Sequence, residues 1–179
     1  LWANGERYEG AFVDDHIVGR GVFVGATGDR YEGQFVDGRF EGEGVLVRAN
    51  GDRYEGAFAG GQFQGRGVLT RFGGWRYEGT FEMGQIDGQG ALDFGNGDRY
   101  EGEFVDGALV GAGVFIFANG DRYEGAFEIN QAHGRGNYKP VTGRVCGGQW
   151  WRGRNVNCRF RVGVETIEDA GAHRREFGA

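Results

Sequence analysis

The 179-residue chain has no serine, a single proline, one methionine and two cysteines. Without serine there is no seryl nucleophile and no phosphoserine switch within these residues. Cys146 and Cys158 are too few for a disulfide framework, and their sparse use fits a reducing compartment better than an oxidising one. No apolar run approaches the roughly 20 residues that a membrane-spanning helix needs, and no signal-peptide core is present. There is no N-x-S/T acceptor for a glycan.

Glycine is what the chain has in excess: 39 of 179 residues, about 22% against roughly 7% in average proteins. Apolar residues still make up 39% and aromatics 15%, without a G-X-Y period. That combination excludes both collagen and a disordered glycine linker. Charge is unevenly placed. Residues 1–137 carry 22 acids and 12 bases, a net of −10, whereas residues 138–179 carry 4 acids and 8 bases, a net of +4. So acidic a body repels phosphates, so no nucleic-acid partner is expected and an anionic membrane is disfavoured.

A fixed period organises the residues. Tyr8, Tyr31, Tyr54, Tyr77, Tyr100 and Tyr123 lie 23 residues apart, and each opens a Y-E-G-x-F block. Counting the tyrosine as position 1, positions 12 and 14 are glycine in all six units, as in Gly42 and Gly44. Within the block, Tyr, Gly and Phe alternate with polar residues at the two-residue period of a strand. A second strand is expected over positions 12–18, as in Gly42–Arg48. The Asn50-Gly51 pair and its later copies predict a tight hairpin turn between units. A longer connection, positions 7–11, is expected inside each unit, with the apolar residue at position 10 (Ile17, Phe40, Phe63, Ile86, Leu109) folding back as a lid.

In the register this implies, Gly at position 3 lies opposite Gly at position 14, and Phe at position 5 opposite Gly at position 12. A floor of glycine leaves room for aromatic rings to lie flat and pack on the next unit. The Arg at position 23 and Glu at position 2 lie two residues apart on one strand face, forming ladders of opposite charge.

These residues resemble the MORN repeat, whose core reads Y-x-G-x-[WF]-x-x-G-x-x-x-G-x-G. The match covers residues 1–145: a partial unit, Leu1–Arg7, and six full units, so the array is expected to continue upstream. Asp15 and Asn130 replace a usual glycine, and Trp75 a usual Asp. A seventh unit over 146–162 is degenerate, with Cys146 for Tyr but Gly148 and Trp150 in pattern, and reads as a C-terminal cap. Residues 163–179 form a tail with the pattern of a short helix. The resemblance implies an all-β fold, an elongated single-layer antiparallel meander of 23-residue β-hairpin repeats. It also implies a non-catalytic module that binds proteins, self-associates, or positions a linked domain.

The expected function is therefore a scaffold or protein-interaction module with a protein or peptide partner and no cofactor. The candidate partner face is aromatic: Tyr54, Phe58, Trp75, Tyr77, Phe81, Tyr100 and Phe104. The candidate end for a homodimer is Trp150, Trp151 and Phe160, beside Arg152, Arg154, Arg159 and Arg161. Two alternatives stand beside this reading, a phospholipid-associating module and the targeting half of a larger enzyme. A cytoplasmic location is expected, with cytoskeletal or membrane association as variants. His16 and His133 lie five repeats apart, too far to share a metal ion within one chain. Cys146 and Cys158 share a face only if a one-residue slip turns Cys158 inward, so both a bond and free thiols stay open.

Overall fold

The computed structural model describes residues 5–155 and 158–162, with 158–161 traced by their backbone. Among these residues every regular element is a β-strand, and no helix is long and apolar enough to cross a membrane. The chain divides into two compact units, Leu1–Gln85 and Ile86–Ala179. The first holds β1 (Arg7–Val13), β2 (His16–Val24), β3 (Arg30–Val36), β4 (Arg39–Val47), β5 (Arg53–Ala59), β6 (Gln62–Thr70) and β7 (Trp75–Glu82). The second holds β8 (Gln85–Phe94), β9 (Arg99–Val105), β10 (Ala108–Ile116), β11 (Arg122–Glu128), β12 (Gln131–Lys139) and β13 (Cys146–Trp150). It also carries a short ribbon, β14 (Arg154–Asn155) paired with β15 (Cys158–Arg161). Within each unit the strands follow chain order and run antiparallel, which is the single-layer meander of hairpins expected from the period.

The two kinds of turn are the reverse of the expectation. The tight turn lies inside each repeat, where Val36 pairs with Arg39 across Asp37-Gly38. Both central residues have positive φ, 47° and 73°, as a type I′ turn requires. The Asn-Gly loop between repeats is wider: Arg48 N donates to Asp52 O at 2.8 Å, enclosing Gly51 at φ 90°. There the Asn50 side chain accepts the Asp52 N–H at 2.9 Å, so asparagine serves as a loop brace.

The second strand consequently starts at position 9, not 12, and the position-10 residue is a strand residue rather than a lid. Phe40 faces Phe35 across the hairpin and stacks flat on Tyr31, centroids 3.7 Å apart and 10° from parallel. Phe63 repeats this on Tyr54. The inferred register needs one correction. Gly33 does face Gly44, but the pairing then jumps to Gln34 with Glu41, which leaves Gly42 and Glu43 unmatched on β3. The expected pairing of Phe with position-12 glycine appears only between repeats, as Gly42 with Phe58. Glycine at position 12 is required because the bulge turns left-handed there, φ 60° at Gly42.

The glycine floor leaves no room for a side chain beneath the tyrosines. A Cβ added to Gly67 would meet the Tyr54 Oη, Cε2 and Cζ atoms at 2.5–2.6 Å, closer than any non-bonded carbon tolerates. The tyrosine ring therefore lies directly on the paired glycine backbones. Its hydroxyl donates back to position 4 of its own strand: Tyr31 to Gln34 O at 3.0 Å, Tyr54 to Ala57 O at 2.9 Å, Tyr77 to Thr80 O at 3.0 Å. Phenylalanines stand edge-on to it from two sides. Tyr54 meets Phe58 of its own strand at 5.1 Å and Phe81 of the following repeat at 5.0 Å. Such pairs add about 0.5–1.5 kcal/mol each beyond the area they bury. Burial also pushes the phenols of Tyr31, Tyr54 and Tyr123 up to about 12.

The opposite face carries the charge ladders. Arg30–Glu32, Arg53–Glu55 and Arg76–Glu78 pair at 2.7, 2.6 and 2.7 Å. All six side chains are about half exposed, so each pair contributes at most about 1 kcal/mol.

Candidate interaction site

All seven rings of the aromatic face are buried. Tyr54, Phe58, Trp75, Tyr77 and Phe81 in the first unit, and Tyr100 and Phe104 in the second, expose 0–7% of their surface. They are held by one another: Tyr77 against Phe81 at 5.2 Å, Tyr100 against Phe104 at 5.2 Å. Their contacts are already made inside the fold.

The residues of the dimer end separate into two roles. Trp150 is 1% exposed. It pairs with Gly134 on β12, donates Nε1–H to Gly136 O at 3.1 Å, and stands edge-on to Tyr123 at 5.0 Å. Trp150 thus fills the place that Phe127 fills against Tyr100 one repeat earlier. Trp151, one residue on, points the other way and is 66% exposed. The Phe160 and Cys158 side chains and the 163–179 tail lie outside the described residues, so the thiol pairing and the helix stay as expectations.

The degenerate unit keeps its turn. Trp151 and Arg154 exchange backbone hydrogen bonds across Arg152-Gly153, both at positive φ. Gly153 N then donates to Ala132 O at 2.8 Å. This repeats the bond from Gly38 to Ile17 and from Gly61 to Phe40 in earlier repeats. The tight turn of each repeat is thereby tied to the strand before it.

Against this turn lies a cavity of about 400 Å³, lined by His133, Gly134, Gln149, Trp150, Trp151, Arg154 and Asn155. The Trp151 ring packs on His133 with centroids 4.7 Å apart, and His133 Nδ1 lies 2.9 Å from Glu128 Oε2. The Arg152 guanidinium stands 6.0 Å from the Trp151 ring centre. Asn155 is 5% exposed and donates Nδ2–H to Gln149 O at 2.8 Å, which braces the wall. His133 was visible in the sequence only as a possible ligand. Its role beside Trp151 follows from the turn at Arg152-Gly153, which no single residue announces. Among the described residues no three His, Cys, Asp or Glu side chains cluster as metal ligands would. An aromatic wall rimmed by cations can hold a side chain.

The period, the tyrosine–glycine floor and the repeated tied turns have one sequence-level counterpart. The MORN repeat model matches residues 8–30, 31–53, 54–76, 77–99, 100–122 and 123–139. The chain belongs to the MORN repeat family. MORN repeats are in general non-catalytic modules that engage proteins or membranes. No curated protein matches the chain. Among solved structures, this MORN array is similar to the TCP domain of Drosophila melanogaster SAS-4 (dCPAP), solved in complex with a proline-rich motif of Ana2 (dSTIL). The two are 12% identical, with a TM-score of 0.35, over 73% of this chain and 84% of that one.

Proposed function

We propose that this MORN array is a non-catalytic protein-interaction module of the cytoplasm that self-associates through its C-terminal end. The observation that carries the reading is the exposed Trp151 ring standing at the mouth of the His133–Arg154 cavity. A tryptophan beside a cavity that would admit an aromatic side chain suits a two-fold contact, in which each copy offers its ring and receives its partner's. Aromatic anchors of this kind tend to dominate interface energy. Acidic repeats, at −10 over residues 1–137, keep two bodies from lying side by side while the ends meet.

The test is light scattering on the whole chain and on Trp151→Ala. Wild type is expected as a dimer at high micromolar concentration and the variant as a monomer with an unchanged β spectrum. A monomeric wild type at that concentration sinks the self-association reading.

A further inference from the structure

One repeat departs from the others in charge and in shape at the same place. Repeat 54–76 has a single acid, Glu55, against Arg66, Arg71 and Arg76, a net of +2. The repeat before it in the chain, 31–53, has five acids against three bases, −2, and the one after, 77–99, five against one, −4. No other matched repeat is positive.

The loop that closes this repeat is also unlike its copies. Elsewhere the loop ends on Gly-Asp, as Ala26-Thr27-Gly28-Asp29, Ala49-Asn50-Gly51-Asp52, Gly95-Asn96-Gly97-Asp98 and Ala118-Asn119-Gly120-Asp121, and in two of them the Asp carboxylate accepts the N–H of the alanine one loop further on. Asp98 Oδ1 takes Ala118 N at 2.6 Å in this way, and Asp29 Oδ1 takes Ala49 N at 2.9 Å. Between β6 and β7 the same four places read Phe72-Gly73-Gly74-Trp75. The backbone closes as before, Arg71 N to Trp75 O at 2.9 Å. Trp75 turns inward under the Arg71 guanidinium, 4.8 Å from the ring centre, while Phe72 is 92% exposed. Among the described residues no fold contact explains a phenylalanine at this position.

What lies next to Phe72 gives it a use. Arg48 and Arg71 occupy the residue just before the loop in successive repeats, and in the second unit that place is held by Phe94 and Phe117. There Phe94 is buried and packs 5.6 Å from Phe115, closing the aromatic face. In the first unit the arginines leave that face open, and a cleft remains between Leu46, Arg48, Tyr54, Phe63, Leu69 and Arg71. Asp52 is the one acid in its lining, and it is already engaged by Asn50 Nδ2 at 3.0 Å. Among the described residues neither Arg48 nor Arg71 has an ion-pair partner.

We infer that this cleft is a docking site for an acidic linear segment of a partner protein, which sets a carboxylate between Arg48 and Arg71 and an apolar side chain on Phe72. Charge complementarity selects the occupant. A cationic cleft that spans three strands, two spacings or roughly 10 Å, suits one or two carboxylates. A nucleic acid or a membrane surface extends further and meets the −2 repeat paired beside it, where it is repelled. The site is separate from the C-terminal end and stands whether or not the chain self-associates there.

The test titrates the full chain with a fluorescein-labelled decapeptide of alternating glutamate and leucine, followed by anisotropy. Controls carry glutamine or lysine in place of glutamate. The variants are Phe72→Ala, which installs the residue found at that place in other loops, and Arg48→Gln. The glutamate peptide is expected to bind at least about tenfold tighter than either control, and to weaken as salt is raised. Combining Phe72→Ala with Arg48→Gln should cost about tenfold or more, whereas Trp151→Ala should leave binding unchanged. The site is overturned by no binding of the glutamate peptide, equal binding of the glutamine peptide, no loss in the double variant, or tighter binding of an oligodeoxynucleotide or of phosphatidylserine vesicles with the same loss. Conversion of a dimer to a monomer by Phe72→Ala assigns the cleft to a second copy and overturns it equally.

Discussion

Trp150 stands edge-on to Tyr123 at 5.0 Å and 77°, the relation that Phe127 has to Tyr100 at 5.0 Å and 81°. The degenerate seventh unit thus still supplies the ring that the sixth tyrosine needs. Trp150→Ala should therefore cost about 3–5 kcal/mol in denaturant unfolding, the usual range for a buried large aromatic. Trp151→Ala, at an exposed ring, should stay within about 0.5 kcal/mol for the monomer. Equal costs for the two tryptophans contradict the division of roles between them.

The tyrosine–glycine contact predicts non-additive mutations. Gly67→Ala puts a methyl against the Tyr54 ring and should destabilise by more than about 2 kcal/mol. In a Tyr54→Ala background the same change meets no ring and should cost much less. A double-mutant cycle reads the coupling. Two independent, additive costs show that the ring does not rest on that glycine.

Two loops carry removable strain. Met83 and Ile129 sit first in tight turns at φ 48° and 43°, and both side chains are 71% exposed. The left-handed conformation costs an ordinary residue roughly 1–2 kcal/mol and asparagine less. Met83→Asn and Ile129→Asn should each raise stability by about 1 kcal/mol, the isoleucine more because it is β-branched. A loss of stability in both variants contradicts the strain.

Alkaline pH should unfold the array through its tyrosines. The phenols of Tyr31, Tyr54 and Tyr123 are pushed up to about 12 by burial, against about 10 in an unfolded chain. A folded state that holds these protons more tightly gains stability that is complete below about pH 10 and falls away as pH rises toward 12. Melting temperature against pH, read beside tyrosinate absorbance, checks this. Tyrosinate that appears at about pH 10 with the β spectrum intact contradicts buried phenols.

The strand alternation and the aromatic–glycine face were legible because Tyr8 to Tyr123 recur at one spacing and glycine recurs beneath them. The turns were not. An Asn-Gly pair suits a two-residue type I′ turn, yet Asn50 spends its side chain on the Asp52 N–H inside a wider loop. Asp37-Gly38 is an equally good turn signal, and Phe40 beyond it alternates with Gly42 and Gly44, so the pattern alone does not say where the second strand begins. The bulge at Gly42 decides it, since two extra residues shift the partner of Phe35 from Gly42 to Phe40 while keeping Phe40 on the inner face. Exposure was the other unread quantity. Trp150 and Trp151 are neighbours of identical chemistry, and only their placement on opposite faces of β13 and its turn makes one a core residue and the other a contact.

The edge-to-face contact between Tyr54 and Phe81 crosses from one repeat to the next, as do those from Tyr31 to Phe58 and from Tyr100 to Phe127. Each of these three tyrosines thus takes its second ring from the repeat that follows. Excision or duplication of 23 residues anywhere within such a run rejoins a tyrosine to an equivalent phenylalanine, and the tied turn to an equivalent carbonyl. Recombination between repeats is therefore nearly silent for folding, while any other length of insertion breaks both. Array length can drift by whole units, and the cleft at Phe72 would travel intact with the three strands that build it.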